Sequence, residues 1–444
     1  MKISLEKITP IQFLVIGYVA IILLGSVALR TQAALTTGNS QSYIDALFTA
    51  TSAVSTTGLI VEDTGAFYSF FGQSIILALF QIGGIGYMAF VVLMVYTVGK
   101  KPSLTSAITL QESLSGITLG NMKKYLKAVF FFTVGIEGAG AVLLTVYWAG
   151  EFSLSRSVYL GLFHSVSAFC TSGFSLFSTS FMSYDSSGVL TVIISCISIA
   201  GGIGFIVLSD IRSFLHRQFT RLYPQQLSLH STVSLVISGV LMIFGILILF
   251  SVESGVAPVK ERAIMAVFQS VSASTTTGFN SIDIASLSQT SLFALILLMF
   301  IGAAPGGSGG GIKVTAFGSI VLFVWAVLKG REDVDAFSWR IPRGTVRKSF
   351  VVGFMMLGWV LAVTMILTIT ECKTFLNILF EVVSAAGTVG LSTGITAELT
   401  VIGKILLIVT MIIGRVGPLA IAFSLIGEPK PVSFREATGD IFIG

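Results

Sequence analysis

Phe48-TATSAVSTTGL, Phe163-HSVSAFCTSGF, Phe268-QSVSASTTTGF and Phe380-EVVSAAGTVGL follow one pattern. Each places a phenylalanine ten residues before a glycine, with Ser-Ala six and five residues before that glycine. The glycines, Gly58, Gly173, Gly278 and Gly390, are spaced by 115, 105 and 112 residues. Agreement at four positions in four places is far beyond chance, so the chain is read first as a fourfold internal repeat.

Around the four copies lie apolar runs long enough to cross a bilayer as helices, which takes roughly 20 residues. They are Ile11–Leu29, Phe70–Val98, Tyr125–Trp148, Gly188–Ser209, Thr232–Phe250, Ser291–Leu328 with an interruption, Phe350–Ile369 and Ile402–Leu425. Between the members of each pair sits a shorter segment: Tyr43–Ser55, Val158–Cys170, Ile264–Thr275 and Leu376–Ala386. A helix of about 12 residues rises only about 18 Å, too little for a core about 30 Å thick. Such helices either lie on the surface in loops or re-enter the membrane, where protein or a water-filled cavity must surround them. The expected fold is an all-α polytopic membrane protein with eight transmembrane helices plus four re-entrant pore helices. Its four helix–pore-helix–helix repeats, residues 1–100, 101–212, 213–330 and 331–426, take a pseudo-fourfold arrangement, and 427–444 form a cytoplasmic tail.

Composition agrees. Of 444 residues, 54% are hydrophobic and only 11% charged, with a mean hydropathy of +0.94; soluble domains carry roughly 25% charged residues. The run from Ile11 has no convincing cleavage site behind a short apolar core, so it is expected to be the first span and not a signal peptide. Cys170, Cys196 and Cys372 are too few and too scattered for a disulfide framework, and have no metal-ligand spacing with His164, His216 and His230. Eighteen Lys and Arg fall at the N-terminus, in the loops between repeats and in the tail, against six on the other side (Arg30, Arg156, Lys260, Arg262, Lys373 and Lys404). The positive-inside rule then places both termini in the cytoplasm and the short segments outside. The net charge of +5 follows from that asymmetry and gives no support to a nucleic-acid partner.

Two crossings per repeat give all four copies one orientation, so they can surround an axis along the membrane normal. Each short helix ends at its turn, where unsatisfied carbonyls and the negative end of the helix dipole favour a cation. The turns read Ser55-Thr56-Thr57-Gly58, Cys170-Thr171-Ser172-Gly173, Thr275-Thr276-Thr277-Gly278 and Gly387-Thr388-Val389-Gly390. Side chains differ while the glycine stays, which points to binding by the backbone. Rings of backbone carbonyls replace an ion's hydration shell in potassium filters, and glycine permits the left-handed dihedrals that aim them. The alternative is that each glycine is a helix C-cap among small packing residues.

On these residues the chain resembles the potassium transporter superfamily built of four covalently linked helix–pore-helix–helix units. It is most similar to the membrane subunit of bacterial Ktr uptake systems, along essentially its whole length. The resemblance implies a bacterial plasma-membrane, potassium-translocating subunit, commonly sodium-dependent. It implies a homodimer with one pore per protomer, set in the lipid bilayer and regulated by a cytoplasmic ring of RCK subunits. Any ATP, ADP or NAD would bind that partner, with no cofactor on this chain. Plant relatives that conduct sodium tend to carry serine in the first filter turn; glycine at position 58 favours potassium. Only Thr388-Val389-Gly390 keeps the threonine-valine-glycine order of potassium channels, so a looser filter is expected.

The second helices carry Ile82-GGIG, Ala200-GGIG, Ile301-GAAP and Ile413-GRVGP. Glycine pairs there are most simply close-packing devices, but in the fourth copy Arg415 stands where the first two have Gly84 and Gly202. An arginine in mid-span costs at least about 2.5 kcal/mol and usually faces a cavity or a partner. It is either an electrostatic barrier in the pore or half of an ion pair with Glu112 or Glu137. The third repeat breaks its second helix with Ala304-Pro305-Gly306-Gly307-Ser308-Gly309-Gly310-Gly311. Irregular backbone at membrane depth must line a cavity, so this stretch, with Lys313 near its cytoplasmic end, is expected to be a gate below the filter; a static kink is the alternative. A phosphate-binding loop needs adjacent Gly-Lys followed by Ser or Thr, which Gly311-Ile312-Lys313-Val314 lacks.

The loops Leu104–Leu119, Arg212–Leu229 and Lys329–Arg347 and the tail are the expected docking surface for a partner. Cys170 is expected to be a small space-filler. Glu62, Asp63, Asp185, Glu253, Asp283 and Glu398, on the outer side, are candidates for concentrating cations. No paired-carboxylate, histidine-cluster or nucleophile–base constellation lies inside the spans, which argues against an enzyme. The rival readings are a sodium-permeable cation transporter and a secondary transporter of another solute. The second would call for inverted repeats and midplane acids.

Overall fold

The computed structural model describes residues 10–98, 122–219, 226–254 and 258–426. The expected loop 104–119, Glu112 and the tail 427–444 lie outside these residues.

The described chain is mostly helical and runs four times through the same order: a long helix, a short pore helix, a turn and a second helix. In repeat 1 these are Pro10–Leu29, Tyr43–Val54 and Phe70–Val98; in repeat 2, Met122–Trp148, Leu154–Phe169 and Gly188–Gly202 continued by Phe205–Phe219. In repeat 3 they are Leu229–Val252, Val259–Ser274 and Gln289–Phe300 continued by Val314–Leu328; in repeat 4, Arg343–Thr370, Phe375–Gly387 and Val401–Val416 continued by Pro418–Ile426. Leu126–Trp148, Leu229–Val252 and Arg343–Thr370 are each long and apolar enough to cross a membrane alone. Two pore helices start four or five residues before their expected positions, and at 16 residues reach about 24 Å.

Only the third repeat was expected to interrupt its second helix. In repeat 2, however, the helix bends by 102° between Gly202 and Phe205, with Gly204 at φ +88°. In repeat 4 it ends at Gly417, φ +94°, before Pro418. Hydropathy misses both breaks because the apolar run continues through them. The chain is also not purely helical: Val334–Ala336 and Trp339–Ile341 pair antiparallel inside the Lys329–Arg347 loop. Val334, Ala336 and Ile341 bury against Ala326 and Val346 at the helix ends flanking this hairpin.

The repeats close on one another. The second helix of each repeat packs on the pore helix of the next, and that of repeat 4 returns to the pore helix of repeat 1, where Lys404 Nζ meets Asp45 Oδ1 at 2.7 Å. Glycines permit the approach within a repeat. A Cβ on Gly83, Gly201 or Gly414 would lie 2.0, 1.9 or 2.2 Å from the pore-helix carbonyls of Val54, Phe169 and Ala386. All four pore helices are thereby buried toward one axis.

Candidate functional site

Past its pore helix, each chain segment takes the same path. Thr56, Thr171, Thr276 and Thr388 have φ of 53°, 49°, 57° and 49°, and Gly58, Gly173, Gly278 and Gly390 have φ of 89°, 68°, 84° and 94°. Left-handed backbone costs a residue with a Cβ roughly 1–2 kcal/mol, so four β-branched residues held there are strain that the surroundings must impose. The Ser-Ala pair imposes it. Ala53, Ala168, Ala273 and Ala385 accept through their carbonyls from the threonine N–H groups at 3.0–3.2 Å. The carbonyls of Ser52, Ser167, Ser272 and Ser384 accept from the N–H groups of Thr57, Ser172, Thr277 and Val389 at 2.8–2.9 Å. The serine hydroxyls add a further tie: Ser52 and Ser384 accept from Gly58 and Gly390 N–H at 3.0 Å. Ser167 and Ser272 donate to the carbonyls of Phe174 and Phe279 at 2.8 and 2.6 Å.

The four glycines form a closed ring. A Cβ on Gly58 would stand 2.4 Å from Ser172 O, on Gly173 2.5 Å from Thr277 O, on Gly278 1.9 Å from Val389 O and on Gly390 2.1 Å from Thr57 O. Each turn therefore leans on the carbonyl of the next, the fourth on the first. Glycine is required twice at each position, by its φ and by this contact. The structure brings the four sequence-predicted turns together in one ring; the sequence reading passed over the threonine two residues before every glycine, the second identity common to all four turns.

Above the ring opens a cavity of about 410 Å³ lined by the four glycines and by Glu62, Asp63, Asp283 and Asn280. Of the six expected cation-concentrating acids, these three line it. Asp63 and Asp283 also cap short helical turns, accepting from Gly65 and Ala285 N–H. Burial, reinforced by Asp45 and opposed by Lys404, raises the Glu62 carboxyl above its ordinary range. Glu253 instead accepts from Ser288, and Glu398 pairs with Lys373.

Below the ring lie the threonine hydroxyls. Those of Thr171, Thr276 and Thr388 are buried without a hydrogen-bond partner, and Thr56 donates to Ser308 O at 3.2 Å. That bond brings in the glycine-rich loop of repeat 3. Ala304 and Ser308 donate N–H bonds to the carbonyls of Gly202 and Gly201 at 3.0 and 3.1 Å, carbonyls that the bend in repeat 2 leaves free. Ser308 Oγ donates to Phe169 O at 3.0 Å, Gly306 O accepts from Phe205 N–H at 3.1 Å, and Gly311 N–H donates to Gly414 O at 3.3 Å. The loop presses directly on the threonines: a Cβ on Gly309 would lie 2.2 Å from Thr276 Oγ1, and on Gly310 2.3 Å from Thr388 Oγ1. Pro305 and Gly307 lie within the same loop.

Two cations hold this loop. The buried Arg415 guanidinium donates to the carbonyls of Ser308 and Gly83, and Lys313 Nζ donates to Gly309 O. The Glu137 carboxylate, a candidate partner for Arg415, takes Gln81 Nε2 at 3.1 Å on each oxygen. Cys170 is more than a space-filler, since its Sγ lies 3.3 Å from Gln81 Oε1.

A family model described as a cation transport protein, TrkH, matches residues 6–435. The Ktr system potassium uptake protein B of Bacillus subtilis (strain 168) is 38% identical over 446 residues, covering 99% of this chain and 97% of that one. The potassium/sodium uptake protein NtpJ of Enterococcus hirae is 36% identical, covering 95% of this chain and 94% of that one. The crystal structure of the potassium transporter TrkH from Vibrio parahaemolyticus superposes with a TM-score of 0.74 at 20% identity, covering 96% of this chain and 86% of that one. At that identity the last match speaks for the fold alone.

Proposed function

Since the chain belongs to the TrkH family of cation transport proteins, we propose that it carries potassium ions across the cell membrane through the axis between its four turns. The observation that supports this most directly is the closed glycine ring, in which each turn backs onto the carbonyl of the next. Preceding carbonyls converge there and take the place of an ion's water shell. The acid-lined cavity draws cations in, and the buried threonine hydroxyls give the ion oxygen ligands once it has passed the glycines. The glycine-rich loop, held by Arg415 and Lys313, closes the path beneath. A fixed positive charge about 8 Å from the ion would repel it by about 2 kcal/mol at an effective dielectric of 20. We place both termini and the loop side in the cytoplasm, by the distribution of Lys and Arg. We assign the chain to a homodimer regulated there by nucleotide-binding RCK subunits; the similarity to a protein named for the Ktr system supports that reading.

The name of the Enterococcus relative includes sodium, so sodium as a second permeant or coupled ion is the alternative to test. The experiment is uptake of K+ against Na+ into liposomes holding only this protein, alongside Gly278→Ser. A Cβ at position 278 would lie 1.9 Å from Val389 O, so the substitution must displace that carbonyl. Potassium-preferring uptake that loses its preference in the variant is expected. Uptake indifferent to both ion and variant would refute the filter.

A further inference from the structure

The residue after the repeated phenylalanine is Thr49, His164, Gln269 and Glu381 in turn. It is polar in every repeat although its pore helix is buried, with exposures of 2%, 0%, 0% and 1%. Three of these side chains reach the extended segment, or strand, that leaves the glycine. Glu381 Oε1 accepts from Ser392 Oγ at 2.6 Å, Thr393 N–H at 2.8 Å and Thr393 Oγ1 at 3.3 Å, and its Oε2 accepts from Thr396 Oγ1 at 2.7 Å. His164 Nε2 accepts from Leu176 N–H at 3.2 Å and lies 3.1 Å from Ser175 Oγ, while Nδ1 meets Leu160 O at 2.8 Å. Gln269 Nε2 donates to Ser281 Oγ at 3.4 Å. Thr49 is too short to reach across, and its hydroxyl turns back to Asp45 O and to Tyr68.

The strand residues match their brackets. Two and three positions past the glycine stand Ser392 and Thr393 opposite the glutamate, Ser175 and Leu176 opposite the histidine, and Asn280 and Ser281 opposite the glutamine. Opposite the short threonine stand the apolar Ile60 and Val61. We propose that Glu381 and His164 are positioning residues that fix the outer ends of the fourth and second turns and thereby set ion selectivity. The first turn lacks such a bracket, so the ring is held unevenly, most firmly at repeat 4. This inference rests on the filter reading above.

The test compares K+/Na+ uptake ratios in liposomes for the wild type, Glu381→Leu, Glu381→Gln and Thr49→Val, each checked for monodispersity. Glu381→Leu should lower the ratio about tenfold through increased sodium passage. Glu381→Gln should restore most of it, because an amide oxygen can accept the Ser392 and Thr393 bonds. Thr49→Val should leave it unchanged. A monodisperse Glu381→Leu with the wild-type ratio overturns the proposal, as does an equal fall in Thr49→Val. Should Glu381→Leu fail to assemble, Ser392→Ala combined with Thr393→Val and Thr396→Val removes the three hydroxyl bonds from the far side and leaves only that of Thr393 N–H, and an unchanged ratio there overturns the proposal. A wild type without potassium preference refutes the transport reading itself, before any variant is compared.

Discussion

Replacing Arg415 by alanine removes two charge-assisted bonds, to Ser308 O in the loop and to Gly83 O in the second helix of repeat 1. Bonds from a charged group contribute about 1.5–3 kcal/mol each. Only the Ser308 bond, however, ties the guanidinium to the element proposed to move. Its loss shifts the closed loop toward opening by about 2 kcal/mol, and a further 2 kcal/mol comes from removing a fixed charge about 8 Å from the ion. The two are not fully additive; taking about 3 kcal/mol together, with tenfold for each 1.4 kcal/mol, K+ flux should rise roughly a hundredfold, up to the limit of the open pore. Arg415→Lys separates the contributions. It keeps the charge but offers no planar fork to two carbonyls, so its flux should lie between wild type and alanine. The assay is potassium uptake into liposomes holding the protein without any partner, normalised to monodisperse protein. Unchanged flux in Arg415→Ala refutes the barrier assignment, and equal flux in the alanine and lysine variants refutes the electrostatic share.

Gly309→Ala puts a methyl 2.2 Å from Thr276 Oγ1 and 2.5 Å from Ala303 Cβ, which the loop relieves by shifting away from the threonine, so flux should rise; an assembled variant with wild-type flux counts against contact between loop and filter. Ser384→Ala removes the bond to Gly390 N–H, a neutral contact of about 1 kcal/mol. The K+/Na+ ratio should then fall about fivefold, and no change would show that the hydroxyl does not hold the turn. Glu62, whose carboxyl is raised by burial and Asp45, binds its proton at a higher pH than the usual 4.3 or so. Its attraction for cations is present above that raised value and lost as the pH falls through it. At about 8 Å in a water-filled mouth the attraction is about 0.5 kcal/mol, so KM for K+ should roughly double on mild acidification in the wild type and stay flat in Glu62→Gln. Parallel pH profiles in the two proteins would dismiss the effect.

What the sequence disclosed were the positions where backbone geometry permits a single residue type. Gly58, Gly173, Gly278 and Gly390 satisfy a positive φ and a carbonyl contact together, so they recur without exception. The threonines at φ near 50° recur as well, yet the variable residues on either side of them mask the identity. The bend at Gly204 and the break at Gly417 leave no mark on hydropathy. Their consequence was equally out of reach, since the bonds of the loop join residues far apart in the chain: Thr56 and Ser308 are 252 positions apart, and Arg415 and Gly83 are 332 apart. No local pattern encodes pairings of that range. The hairpin at Val334–Ile341 is three residues a side, shorter than alternation of polar and apolar residues can reveal.

The ring and the loop are anchored largely to different parts of the fold, so in the proposed mechanism selectivity is separable from gating. The backbone bonds that set the dihedrals of each turn run to its own pore helix, through Ser52, Ala53 and their counterparts. The loop hangs mainly from the ends of second helices, at Gly201 and Gly202 in repeat 2 and Gly414 in repeat 4, with one further bond from Ser308 Oγ to Phe169 O at the end of a pore helix. It meets the turns through the Thr56 bond and through the packing of Gly309, Gly310 and Gly311 against Thr276, Thr388 and Gly387. A rotation of the second helices about Gly204 or Gly417 would therefore draw the loop away while the carbonyl ring kept its shape. In that proposed motion the helix breaks in repeats 2 and 4 serve twice: they free the carbonyls that carry the loop, and they would be the hinges about which it is withdrawn. Alanine at Gly204, whose φ is +88° and whose Cβ would lie 2.7 Å from Pro305 O, should alter flux while leaving the K+/Na+ ratio at its wild-type value. A change in the ratio there would mean that filter and gate are one mechanical unit.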